Sequence, residues 1–151
     1  MTKAELARSY FEEGYNCCQA VALAFKEEIG IEKEMLAKMA SSFGGGFGRL
    51  REVCGAFSGI SLVVGALCGY GDAISDKKAE HYALIRELAE EFKSVNGGSI
   101  ICRELLDGTE KLSAQNPAVR TEEYKHKRPC YEIVANSADI LEKKLKEKGI
   151  L

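Results

Sequence analysis

Apolar residues along this chain recur three and four positions apart, and strand-like alternation is absent, so helices are predicted throughout. The first stripe spans Ala4 to Glu13, with Leu6, Tyr10 and Phe11 inward and Gly14 stopping the helix. Asn16 caps a second helix through Glu28, with Val21, Phe25 and Ile29 inward. A third, Glu32 to Ser41, carries Met35, Leu36 and Met39. After a glycine loop, a central helix reaches about Cys68. A long amphipathic helix then runs from Ser75 to about Ser94, its stripe made of Tyr82, Ile85, Leu88, Phe92 and Val95. Asn96-Gly97-Gly98 ends it, and Ser99 caps a short helix through Leu106. The polar stretch Asp107 to Lys127 reads as loop. Pro129 opens a last helix, where its missing N–H costs nothing, with Val134, Ala138, Leu141 and Leu145 inward. The fold class is therefore all-α: one domain over residues 1–151, a helical bundle of about six helices around a central Gly/Ala-rich helix.

The organising stretch is Ser41 to Asp72. Gly44, Gly45, Gly46 and Gly48 lead through Arg49 and Arg51 to Cys54-Gly55-Ala56-Phe57-Ser58-Gly59, and no residue from Val53 to Gly71 is charged. A spanning helix needs about 20 mainly apolar residues. Here Gly55, Gly59, Gly65, Gly69 and Gly71 dilute the apolar content, so burial inside protein is the better reading. Such small residues let neighbouring helices approach the backbone closely.

Composition narrows the function classes. With 21 Lys+Arg against 23 Asp+Glu, the net charge of −2 is spread along helix faces, which argues against a nucleic-acid grip. The runs Glu87-Glu90-Glu91 and Lys143 to Lys148 read as solvated faces. The first residues, MTKAELARSYFEEGYN, contain no apolar core of a signal peptide, so a cytoplasmic location without membrane attachment is expected.

Six cysteines change the picture. Cys17 follows the cap Asn16, Cys54 lies near the start of the central helix, Cys102 follows the cap Ser99, and Cys130 follows Pro129. Unpaired N–H groups and the helix dipole stabilise a thiolate at such positions. Cys68 falls at the far end of the central helix, too distant to join Cys54, and reads as core. No C-x-x-C, zinc-ribbon or haem-attachment spacing is present. The glycine run with Arg49 and Arg51 could cradle an anion, but close packing explains it better. His81 reads as a surface histidine, His126 as solvated loop, and Tyr15 and Tyr131 as core aromatics.

In this order the residues resemble the C_GCAxxG_C_C family of redox-active proteins, known by four cysteines and a CGAxxG motif. Cys54 to Gly59 carries the motif. Gly14-Tyr15-Asn16-Cys17 is similar to the first cysteine segment, and Ser42 to Gly46 to the upstream glycine run. Cys102 to Gly108 and Arg128-Pro129-Cys130 are similar to the third and fourth segments. The resemblance implies that Cys17, Cys54, Cys102 and Cys130 are the functional set, with Cys18 and Cys68 extra and Cys18 competing with Cys17 for the first place. It identifies the site better than the reaction.

Three readings follow for the same four residues. The first is redox chemistry by thiol/disulfide exchange or electron transfer, with Cys54 the first choice as low-pKa nucleophile. The second is a metal site in which Cys17, Cys54, Cys102 and Cys130 hold zinc or an iron–sulfur cluster. The third is a non-catalytic helical accessory protein whose cysteines only pack. Neither the redox partner nor a small-molecule substrate is encoded in these motifs, and a helical chain of this size is compatible with a homodimer.

Overall fold

The computed structural model describes residues 1–106 and 129–151. The expected loop at Asp107 to Lys127, His126 included, lies outside the described residues. Among the described residues there are eight α-helices and no strand. They are α1 (Lys3–Glu13), α2 (Cys17–Ala24), α3 (Lys26–Ile29), α4 (Lys33–Ala40), α5 (Gly55–Cys68), α6 (Lys78–Val95), α7 (Cys102–Leu105) and α8 (Cys130–Glu147). A 3₁₀ turn, Ser41–Phe43, follows α4.

Gly14 and Asn16 act where the sequence places them. Thr2 and Glu5 form a capping box at α1, Gly14 ends that helix in the left-handed region, and Asn16 with Gln19 forms a second box at α2. The expected second helix breaks at Phe25, whose φ of −110° and ψ of 17° separate α2 from α3. This break and the four-residue α7 raise the helix count above six.

The core gathers α1, α2, α5, α6 and α8. α2 is the most enclosed element: Cys18, Ala20, Val21, Ala22, Leu23 and Ala24 are all buried, and it packs on α1, α4, α5 and α8. α5 is central as far as Val64, and Gly65 and Ala66 beyond it are exposed. The two helices meet through glycine. A Cβ on Gly59 would stand 2.9 Å from Val21 Cβ and 3.0 Å from the Cys18 carbonyl oxygen. One turn earlier, a Cβ on Gly55 would stand 2.9 Å from Cys17 Sγ. The motif's two glycines are thus the contact surface for α2. Among the described residues no helix is long and apolar enough to cross a membrane.

Several inward assignments shift. Of the three residues named on α4, Leu36 is buried, with Ala40 beside it, while Met35 and Met39 are half exposed. On α6 the buried stripe is Leu84, Leu88 and Phe92, while Tyr82 and Val95 face out. Lys144 is not a solvated residue. It is 4 % exposed, held by Glu87 at 2.6 Å and Glu91 at 2.7 Å, because α6 crosses α8 there. Tyr131 and Tyr15 sit at the core's margin: the Tyr131 hydroxyl donates to Glu12 at 2.7 Å, and Tyr15 meets Tyr10 edge-on. His81 is half-buried, edge-on to Tyr70, with no hydrogen-bond partner for its buried Nδ1 among the described residues.

Candidate functional site

Cys17, Cys54, Cys102 and Cys130 all line one pocket of about 500 Å³ at the end of the bundle where α2, α5, α7 and α8 begin. Phe11, Leu105, Leu106 and Ile133 supply apolar wall, and Arg49 and Arg51 supply charge. Cys18, one residue from Cys17, points into the hydrophobic core instead and is fully buried. Cys68 lies at the other end of α5, donating its thiol to the Val64 carbonyl at 3.3 Å. No disulfide joins any of the six.

Each cysteine is placed by a different local device. Cys17 is the first residue of α2, held by the Asn16–Gln19 box and seated against Gly55. Cys130 is the first residue of α8, directly after Pro129. Cys54 and Cys102 are brought together by backbone pairing, a feature the helical periodicity does not carry. Val53 and Ile101 form an antiparallel bridge. Around it the Cys54 N–H donates to the Ile100 carbonyl at 2.7 Å and the Cys102 N–H to the Glu52 carbonyl at 2.6 Å. Ile101, not Ser99, is therefore the N-cap of α7, and Cys102 is its first residue.

The glycine run is a left-handed loop. Gly45, Gly46, Phe47, Gly48 and Arg49 have φ of 67°, 72°, 68°, 54° and 66°, and Arg51 has 62°. Each non-glycine residue there costs roughly 1–2 kcal/mol relative to the right-handed region. The loop is held by the Arg51 N–H on the Gly45 carbonyl at 3.1 Å and the Glu52 N–H on the Gly46 carbonyl at 3.0 Å. A Cβ on Gly46 would lie 2.8 Å from Cys102 Cβ. The loop thus presses its backbone onto the pocket, as the close-packing reading expects. It also aims Arg51 at a cysteine: Nη1 donates to Cys102 Sγ at 3.7 Å. The only sequence signal for this contact is a pair of arginines in a glycine-rich lead-in.

The electrostatics correct the expectation for Cys54. Burial pushes its thiol well above the usual range, and negative charge on Cys17, Cys130 and Cys102 pushes it further. A backbone hydrogen bond from the Ala56 amide acts downward but is a smaller influence than burial. The helix start is real, but desolvation outweighs it, so Cys54 is not an activated thiol while its neighbours carry charge. Burial likewise raises Cys18 and Cys68. Among the described residues no group of three or more His, Cys, Asp or Glu is placed to hold a metal ion.

Four thiols around an apolar pocket with a guanidinium beside one of them is an arrangement suited to sulfur chemistry. A sequence model of the family described as "Putative redox-active protein (C_GCAxxG_C_C)" matches residues 15–144, a span that contains all four pocket cysteines. Its label spells the central motif Gly-Cys-Ala, where this chain has Cys54-Gly55-Ala56. No curated protein and no solved structure matches the chain. The chain belongs to the C_GCAxxG_C_C family.

Proposed function

We propose that the protein is a thiol–disulfide redox protein whose working groups are Cys17, Cys54, Cys102 and Cys130. The observation that carries this reading is their convergence on one pocket from four separate helix starts, while Cys18 and Cys68 face elsewhere. The pocket's size suits a small organic disulfide or thiol as the exchange partner.

The exchange runs in two steps. One pocket thiolate attacks a sulfur of R–S–S–R, forming a protein–S–S–R bond while the R–S–S–R bond breaks and RS⁻ leaves to take a proton from water. A second pocket thiol, having lost its proton to solvent, attacks the protein sulfur of that mixed disulfide. An internal disulfide forms and a second RS⁻ departs. Two electrons pass from two protein thiols to the organic disulfide.

The reading is tested by titrating reduced, metal-free protein with glutathione disulfide under anaerobic conditions and mapping the bonds by mass spectrometry. Internal disulfides drawn solely from the four pocket cysteines are expected, with Cys18 and Cys68 recovered as thiols. Absence of any internal disulfide, or disulfides through Cys68, would remove the proposal. Stoichiometric zinc or iron in anaerobically purified protein would move the assignment of these cysteines to metal binding.

A further inference from the structure

The proposed exchange leaves open which thiol attacks first. Cys54 is disfavoured, because burial and its three sulfur neighbours hold it in the neutral form. Arg51 also lines the pocket, beside Cys102. Its guanidinium donates to Cys102 Sγ at 3.7 Å, its carbonyl accepts the Arg103 N–H at 3.2 Å, and its backbone is left-handed with φ of 62°. A left-handed arginine is a local cost, and such costs concentrate where the surrounding structure needs the side chain in one direction. Here that direction is toward Cys102, whose Cβ glycine at position 46 allows the loop to approach. An arginine cannot give up its proton under these conditions, so its charge beside Cys102 is permanent.

We infer that Cys102 is the thiol that attacks the incoming disulfide and that Arg51 is its positioning residue, favouring the thiolate and holding it toward the pocket. This rests on the thiol–disulfide reading above and adds the order of events. Cys102 forms the mixed disulfide and RS⁻ leaves. The sulfurs of a mixed disulfide carry no charge, so the influence of a Cys102 thiolate on Cys54 is relieved at the moment a second thiol is needed. Among the described residues, the other charged or titratable groups lining the pocket or flanking Cys102 are Arg49, Glu52, Arg103, Glu104, Cys17, Cys54 and Cys130. Of these, Arg103 and Glu52 are paired with each other.

The test is the pH dependence of alkylation of each cysteine by iodoacetamide in the reduced, full-length protein, resolved by mass spectrometry. In wild type the Cys102 midpoint should lie below that of the same cysteine in denatured protein, and Cys102 should carry the first glutathione adduct. Arg51→Gly removes the guanidinium while placing at that site the residue that tolerates left-handed backbone best, so the fold is retained. Its Cys102 midpoint should rise by about one pH unit, with labelling at pH 7 slowed by about three- to tenfold. Arg51→Lys should recover part of that shift. A wild-type Cys102 midpoint no lower than in denatured protein would overturn the inference without any variant. So would a Cys102 profile unmoved in Arg51→Gly, or a uniform slowing of all pocket cysteines. Internal disulfides among the four cysteines with the first adduct on another residue would sink this inference alone and leave the redox reading intact.

Discussion

α5 carries a cysteine near each end, and the two ends are built on opposite terms. At its start, Cys54, Gly55, Ala56, Phe57 and Gly59 are buried, α2 lies against the helix backbone, and three other cysteines line the same pocket. At its finish, Gly65 and Ala66 are exposed; among the described residues nothing lies within 4 Å of a Cβ built on Gly65, and Cys68 bonds to its own helix's Val64 carbonyl. Both thiols are pushed upward by burial. What separates them is company rather than intrinsic acidity. A cysteine becomes a candidate for exchange chemistry here because the fold brings it partners, and the glycines that look alike in sequence do that at one end only.

The comparison breaks most visibly at Gly59. Gly59→Leu forces a side chain into Val21 and the Cys18 carbonyl, so a loss of about 3 kcal/mol is expected in urea unfolding. An unchanged midpoint would mean that α2 and α5 are not tightly seated. Raised pH should expose the next difference. Cys54 and Cys18 are kept neutral by burial, so above an unfolded value of about 8.5 the folded chain binds more protons than the unfolded one. Stability should then be level below about pH 8.5 and fall by up to about 1.4 kcal/mol per pH unit for each such thiol above it. Cys18→Ala should shallow that slope, as read from urea midpoints between pH 7 and 10. At the open end the sign reverses. Gly65→Ala meets no neighbour and replaces a poor helix former, so a gain of about 0.5–1 kcal/mol is expected from thermal unfolding. Smallest of all should be Cys68→Ser, where a hydroxyl can keep the bond to Val64. Stability should change by less than about 0.5 kcal/mol, and the number of pocket thiols oxidised by glutathione disulfide should stay as in wild type.

The helices were legible because caps and stripes are local: Asn16, Gly14 and Pro129 act within a turn or two of their own position. Cysteines at helix starts were legible for the same reason. The burial of Lys144 was not, because it depends on Glu87 and Glu91 arriving from another helix. Nor was the rise at Cys54, since a helix start advertises itself in sequence while the depth at which it is buried does not. The left-handed backbone at Phe47, Arg49 and Arg51 is likewise silent, because neither residue type prefers that conformation. The contact between Arg51 and Cys102 joins distant segments and needed the fold to show it.

The bridge between Val53 and Ile101 has a consequence in time. Its two short segments are separated along the chain by the whole of α5 and α6, so closing it costs loop entropy before any pairing is gained. Helices form locally and fast, whereas this stitch waits until α6 has docked. Cys54 and Cys102 are therefore expected to meet after the core has formed. In pulsed hydrogen exchange during refolding of the reduced protein, the Cys54 and Cys102 amides should gain protection after those within α2 and α5. Simultaneous protection would place the stitch in the folding nucleus instead.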